Sequence, residues 1–257
     1  MRFAQLLTRI RPMELAEFLK KISGIGYEEH TIDGHTWYLD PASNFGNTLL
    51  TDRTYEPHVT NALLAVLGPG DVFLDIGANE GWYSVRAADI VGTGGRVFSM
   101  EPQARLWPVV LRNFLYNRLH NCTLVPYAVG PTEGFIDIIV YPSMNTGASS
   151  LVPRARTNSM QRQRAGVLPL QRIAQMHGIT KVRLAKIDVE GYELEVLKSA
   201  GPLLGTAIEN IFVELHPQQL EALGQSTADV ENLLTQKGYE KRSKDGIDLW
   251  TLVRPQP

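Results

Sequence analysis

The sequence predicts an α/β protein with a doubly wound, mostly parallel sheet, and three observations carry that expectation. The first is an apolar run, Val72-Phe73-Leu74-Asp75-Ile76, that ends in a turn with Gly77 and Gly81 and leads into a helix from about Trp82. That strand–glycine turn–helix layout places a ligand at the carboxyl edge of a sheet. The second is recurrence: extended runs at 96–100, 123–127, 185–188 and 210–215 alternate with helical segments, the pattern of a parallel sheet. The third lies near the end of the chain, where Asp245-Gly246 precedes the run 247–253. A two-residue hairpin signal there turns one strand back against the rest.

The elements follow in order. Residues 1–50 read as an accessory segment, and residues 51–257 as the main domain. Leu15, Phe18, Leu19 and Ile22 recur at helical spacing, so residues 2–22 are expected to form a solvated amphipathic helix that stops at Gly24 and Gly26. Asp33-Gly34 sits between two extended runs, 27–32 and 35–39, and predicts a hairpin. Residues 56–67 are helical and close at Gly68-Pro69-Gly70. The repeating α/β unit starts there. After the strand at 96–100, a helix with Leu106, Val109, Val110, Phe114 and Leu115 on one side runs to about Leu119. The strand at 123–127 leads to Ala128-Val129-Gly130, and 135–141 is extended, as an added strand or a continuation. The stretch 142–169 is the least regular, with Asn, Ser, Gly, Pro and four arginines, Arg154, Arg156, Arg162 and Arg164. It reads as a long loop with a solvated charge run. A helix at 193–199 follows the fourth strand, and another covers 227–237.

Composition bounds the function. The chain of 257 residues can bury a substantial core, and its net charge of −2 gives no global case for nucleic acid. The single Cys122 excludes an internal disulfide and a cysteine zinc cluster, and suits a cytoplasmic location. No stretch approaches eighteen consecutive apolar residues, so no membrane span is expected. The expected partner is a small-molecule or glycan acceptor, and a homo-oligomer stays open.

The glycine turn distinguishes between two cofactor classes. A dinucleotide fingerprint wants glycine at its first, third and sixth positions, with pyrophosphate on the helix N-terminus. Aligning Gly77 to the third position puts Asp75 at the first and Glu80 at the sixth, and two carboxylates would repel a pyrophosphate. S-adenosylmethionine instead offers an ammonium, a sulfonium and a ribose diol, and acids suit the ammonium and the diol. Glu101 stands at the end of the second strand, twenty residues after Gly81, the distance at which an acid takes both ribose hydroxyls.

At this point the residues carry a family pattern. Tyr55-Glu56-Pro57, the segments 71–81 and 92–102, Ala128-Val129-Gly130, the segment 145–151, Lys186-Ile187-Asp188-Val189-Glu190-Gly191 and Val213-Glu214-Leu215-His216 occur in one order. Together they resemble the FkbM family of class I S-adenosylmethionine-dependent methyltransferases. The resemblance implies a Rossmann-like class I methyltransferase fold, a seven-stranded sheet with a reversed last strand. It also implies methylation of a hydroxyl, often on a sugar or natural product. It places Glu56, Asp75, Gly77, Asn79, Gly81, Glu101, Ala128 and Asp188 at the cofactor. Relatives often carry a Leu-Asp pair where this chain has Pro169-Leu170-Gln171; if that acid shapes the acceptor pocket, the acceptor differs here.

Transfer to an alcohol needs alignment of oxygen, methyl carbon and sulfur, and a group to accept the hydroxyl proton. Asp188 and Glu190 end the fourth strand, and Glu214 and His216 end the fifth. The catalytic candidates are Asp188, as base or metal ligand, His216, whose ordinary pKa suits a base, and Glu190. Asn145, Ser149 and Ser150 are candidates for the acceptor pocket. Carboxylates and an imidazole are compatible with Mg²⁺, but no spacing demands it, so no metal is assigned. The competing readings are a methyltransferase-like binding module without catalysis, an NAD-dependent sugar-modifying enzyme, and an RNA methyltransferase, which only the basic loop favours.

Overall fold

The structure, a computed structural model, describes residues 2–11, 13–148, 161–244 and 247–253. In chain order these form α1 (Arg2–Leu7), α2 (Met13–Ser23), β1 (Glu28–Ile32), β2 (His35–Leu39), α3 (Asn44–Asp52), α4 (Pro57–Leu64), β3 (Val72–Ile76), α5 (Trp82–Val91), β4 (Arg96–Met100), α6 (Trp107–Tyr116) and β5 (Cys122–Val125). There follow β6 (Ala128–Val129), β7 (Gly134–Val140), β8 (Gln161–Leu168), α7 (Leu170–His177), β9 (Val182–Ile187), α8 (Glu193–Ser199), β10 (Ile208–Val213), α9 (Pro217–Ala222), α10 (Thr227–Gln236), β11 (Tyr239–Lys244) and β12 (Ile247–Leu252).

Seven strands make one sheet in the order β5-β4-β3-β9-β10-β12-β11. β3, β4, β5, β9 and β10 pair in parallel, and β12 runs antiparallel to both β10 and β11. This is the expected doubly wound sheet with one reversed strand. The central strands are buried over most of their length because helices cover both faces, which is why they read as mostly apolar runs. The order reverses between β3 and β9, and the cleft outside their carboxyl ends is where ligands bind in such sheets.

The N-terminal hairpin forms as the sequence predicts, with Asp33 at φ 50° and Gly34 at φ 78°, both left-handed as a tight two-residue turn requires. It is docked on the main sheet's helices. Trp37 is fully buried and stacks on Trp82, ring centroids 5.0 Å apart, while the side chains of Asn113 on α6 and of Asn117 at its C-terminal cap accept from the backbone N–H groups of Tyr38 and Thr36.

Several expectations are corrected. Residues 2–22 form two helices, and the buried positions of α2 are Ala16 and Lys20; Leu15, Phe18 and Ile22 point outward. Lys20 takes the inner face because the buried carboxylate of Asp40 and the hydroxyl of Ser143 meet its ammonium. Leu115 is exposed rather than part of the apolar side of α6. Part of the supposed loop, Gln161–Leu168, is a strand paired antiparallel to β7 over seven residues, and its N-terminal half is exposed. Its polar residues hid it: the ladder with β7 holds it, not its own apolar content. Arg162 and Arg164 lie on it, the latter guanidinium 4.9 Å from the Phe135 ring, whereas Ser149, Ser150, Arg154, Arg156 and the Asp245-Gly246 turn lie outside the described residues.

Candidate active site

A cavity of about 290 Å³ opens at the carboxyl ends of β3, β4, β9 and β10. Of the residues singled out in the sequence, Glu56, Gly77, Asn79, Glu101, Ala128, Asp188, Glu190 and Asn145 line it, as does Glu214. Asp75, Gly81 and His216 stand behind its wall. Three of the six non-glycine residues with positive φ, Glu56 (42°), Asn79 (49°) and Glu190 (57°), lie on the cavity, and strained backbone of this kind concentrates at functional sites.

The glycine turn is built for chain packing more than for ligand approach. A Cβ on Gly77, which has φ +83°, would sit 1.9 Å from the Asp188 carbonyl oxygen. Gly81 has φ +87°, but the atoms nearest its notional Cβ are 3.7 Å away, so conformation alone calls for glycine there. Asp75 is fully buried: one oxygen accepts from the Ser84 hydroxyl at 2.6 Å, and the other lies 3.6 Å from the Lys186 ammonium.

Glu101 presents a prepared carboxylate. Its two oxygens accept from the backbone N–H groups of Asn79 and Gln103, each at 2.8 Å. Burial pushes its pKa up to about 7, against the pull of those two donors. Beside it, Asn79 Oδ1 and Glu80 Oε2 are buried acceptors without a partner. A ligand carrying an ammonium, a diol and an exocyclic amine supplies the donors such atoms lack, so this wall fits S-adenosylmethionine. Burial also pushes Glu80 up to about 8, with Asp40 adding to the effect. Glu80 therefore holds its proton to a higher pH than an ordinary carboxylate.

The opposite wall is a cluster of acids around a lysine and a histidine. Lys186 is buried with its ammonium 3.3 Å from Asp188 and from the Gly77 carbonyl. Burial works against its charge, but Asp188 and Asp75 more than offset this, and Lys186 stays protonated. The His216 imidazole is gripped at Nδ1 by the buried Glu193 (2.8 Å), while Nε2 faces Glu190 (3.2 Å), Glu214 (3.9 Å) and Asp188 (4.0 Å). Burial would lower its pKa; the Glu193 hydrogen bond and the surrounding carboxylates carry it upward instead. Glu214 is raised by burial and by the charges of Asp188 and Glu56. Asp188, Glu214 and His216 each bring a ligand atom within 4.8 Å of the others, the set among the described residues that could hold a metal ion. A divalent ion there would need His216 neutral at the ligating nitrogen.

The sequence places these pieces in one family. The FkbM methyltransferase domain matches residues 75–241, well over half of the chain. The chain belongs to the FkbM methyltransferase family. This FkbM-family protein is therefore a methyltransferase, and the family and fold imply S-adenosylmethionine as donor. A hexuronic acid methyltransferase, AglP of Haloferax volcanii, is 27% identical over 192 residues, covering 73% of this chain and 71% of that protein. Among solved structures, an S-adenosylmethionine-dependent O-methyltransferase from Thermotoga maritima aligns with TM-score 0.48 and 12% identity, covering 93% of this chain and 83% of the other. A methyltransferase from Aquifex aeolicus aligns at 0.41 and 12%, covering 76% and 87%. Both are too loosely alike to speak to function.

The departure at Pro169 bears on a helix end, not on the cavity. α7 starts there without a side-chain cap of its own; the Ser199 hydroxyl accepts from the Leu170 N–H at 3.1 Å, and no residue of 169–174 lines the cavity. Sequence reasoning gave no role to Lys186, although a lysine in the apolar run of β9 is the signal of a buried charge with partners. It also missed Asn44 and Phe45, which reach the cavity from α3.

Proposed function

We propose that this FkbM-family chain is an O-methyltransferase that transfers the methyl group of S-adenosylmethionine to a hydroxyl of a sugar or glycan. One observation carries this reading: the cavity joins a wall with a fixed acceptor for a ribose diol, Glu101, to a wall where Asp188 and Glu214 converge. When bound, the donor supplies an activated methyl on a good sulfonium leaving group. Glu101 holds the diol, with Asn79 and Glu56 beside it and Gly77 and Ala128 shaping the wall. Asp75 and Gly81 act from behind, on Lys186 and on the start of α5.

The acceptor hydroxyl has to lose its proton as its oxygen attacks. Glu214 takes it: it lines the cavity, and burial with neighbouring charge makes it a stronger base than an ordinary carboxylate. Asp188, paired to Lys186, orients the hydroxyl. His216 is then a clamp rather than the base, holding Glu190, Glu214 and Asp188 in place through its anchor on Glu193. Residues 1–50 are an accessory unit that adds Asn44 and Phe45 to the acceptor side. Six acids, Glu56, Glu80, Glu101, Asp188, Glu190 and Glu214, line the cavity against the one lysine Lys186, so a neutral sugar ring, or one whose carboxylate points outward, fits best. The lone thiol of Cys122 suits a reducing, cytoplasmic setting.

The test is calorimetric titration with S-adenosylmethionine and with NAD, followed by transfer of labelled methyl to neutral and uronic sugars, the product located by mass spectrometry and NMR. A methyl ether on a sugar hydroxyl supports the reading. A methyl ester, an N-methyl product or binding of NAD alone overturns it.

A further inference from the structure

We infer that the N-terminal helical pair seats the protein on an anionic membrane surface. Four of the ten large apolar side chains that are exposed in the described structure fall within α1 and α2: Leu6 (55% exposed), Leu15 (45%), Phe18 (58%) and Ile22 (64%). Leu15, Phe18 and Ile22 recur at i, i+3 and i+7, so they form one stripe along α2. A helix that needed only a soluble core would turn these residues inward. Here the inward positions are Ala16 and Lys20, and Lys20 is fixed there by Asp40 and Ser143. The outward stripe is thus a consequence of how α2 is locked, not of fraying.

Charge decides the occupant. Residues 2–23 carry five basic side chains against two acidic ones in a chain whose net charge is −2. Of the basic ones, Arg9, Arg11 and Lys21 are exposed, Lys21 on α2 and the two arginines in the connector before it, while the acid Glu17 is turned in to the Ser143 hydroxyl (3.0 Å) and the Met144 N–H (3.0 Å). Two copies of this chain meeting on that face would bring like charges together. Anionic lipid headgroups neutralise them, and the apolar stripe enters the acyl boundary, the arrangement of an interfacial amphipathic helix. No helix among the described residues is long and apolar enough to cross a membrane, so the contact is peripheral.

The same helix touches the candidate active site. Through Glu17 and Lys20, α2 holds the turn Ser143–Ala148, whose Asn145 and Gly147 line the cavity. Seating α2 on a bilayer therefore sets the cavity close to the membrane surface. The inference does not rest on the identity of the acceptor.

The experiment is co-sedimentation of the full chain with phosphatidylcholine vesicles, with and without 30% phosphatidylglycerol. Binding is expected to the anionic vesicles only, and to fall as salt is raised. Phe18→Ser with Ile22→Ser should weaken it at least tenfold, since each loses a buried apolar side chain. Arg9→Gln with Lys21→Gln should weaken it about tenfold. Circular dichroism and S-adenosylmethionine affinity report whether the variants remain folded, because none of these residues lines the cavity. Failure of the wild-type chain to bind anionic vesicles overturns the inference, as does equal binding by folded variants. A dimer in light scattering that the apolar variants abolish would assign the face to a second copy and likewise overturn it.

Discussion

The two walls of the cavity hold their carboxylates by different means. On the β4 side, Glu101 is fixed by backbone N–H groups whose positions follow from the turn after β3. On the β9–β10 side, Asp188, Glu190, Glu193 and Glu214 are held chiefly by two side chains, Lys186 and His216, with the Gly191 backbone N–H donating to Glu193 as well. The first wall is a product of local chain geometry, so loss of one side chain there should leave its neighbours in place. The second is a network in which each charge depends on the others, and it should fail cooperatively.

The largest test of that contrast is Lys186→Met. It leaves Asp75 and Asp188 without their counter-ion in a buried setting, a loss on the order of 3–5 kcal/mol. Thermal denaturation should show a fall in Tm of roughly 10 °C. A variant as stable as the parent would mean that this wall is not a coupled network. Next in size is Glu214→Gln, which removes the proposed proton acceptor from the same wall. It should lower kcat about 10²- to 10³-fold with S-adenosylmethionine affinity nearly unchanged. An equal loss in His216→Gln, with full activity in Glu214→Gln, would return the base to His216.

On the other wall, Glu101→Ala should weaken S-adenosylmethionine binding about 10- to 100-fold, the worth of hydrogen bonds to a charged acceptor, while Tm changes little. Asp75→Ala should do the reverse, because Asp75 is walled off and serves Ser84 and Lys186. Calorimetry and denaturation on the pair separate the roles. If Asp75→Ala were stable but unable to bind, the cofactor would reach deeper than the cavity shows.

This division also marks what the sequence disclosed. The sheet was legible because buried parallel strands write themselves as apolar runs, and the glycine turn and Glu101 because a strand end followed by a tight turn leaves a local pattern. The strand at Gln161–Leu168 was hidden, since its partner β7 lies outside any local window and its exposed residues are Gln and Arg. The charged wall was half legible. Asp188 and His216 stand out at strand ends, but the Glu193–His216 contact joins residues twenty-three positions apart and helps carry the imidazole pKa upward. The outward stripe of α2 was unreadable for a similar reason: helical spacing tells which residues share a face, not which way that face turns.

The smallest effect tests whether the glycine-turn wall stores strain of its own. Glu80 is buried with one oxygen 3.3 Å from the Thr146 hydroxyl and the other without a partner, and burial carries its pKa from an ordinary carboxylate value to about 8. Since the folded state holds the proton more tightly than the unfolded chain, this group's contribution to stability is complete below about pH 4.5 and is lost as pH rises toward 8. Glu80→Gln has no proton to lose. Its Tm should match the parent near pH 5 and exceed it by a few degrees at pH 8, in the absence of S-adenosylmethionine. Parallel curves for the two proteins would show that Glu80 ionises freely, and would bring its negative charge back to the cavity wall beside Glu101.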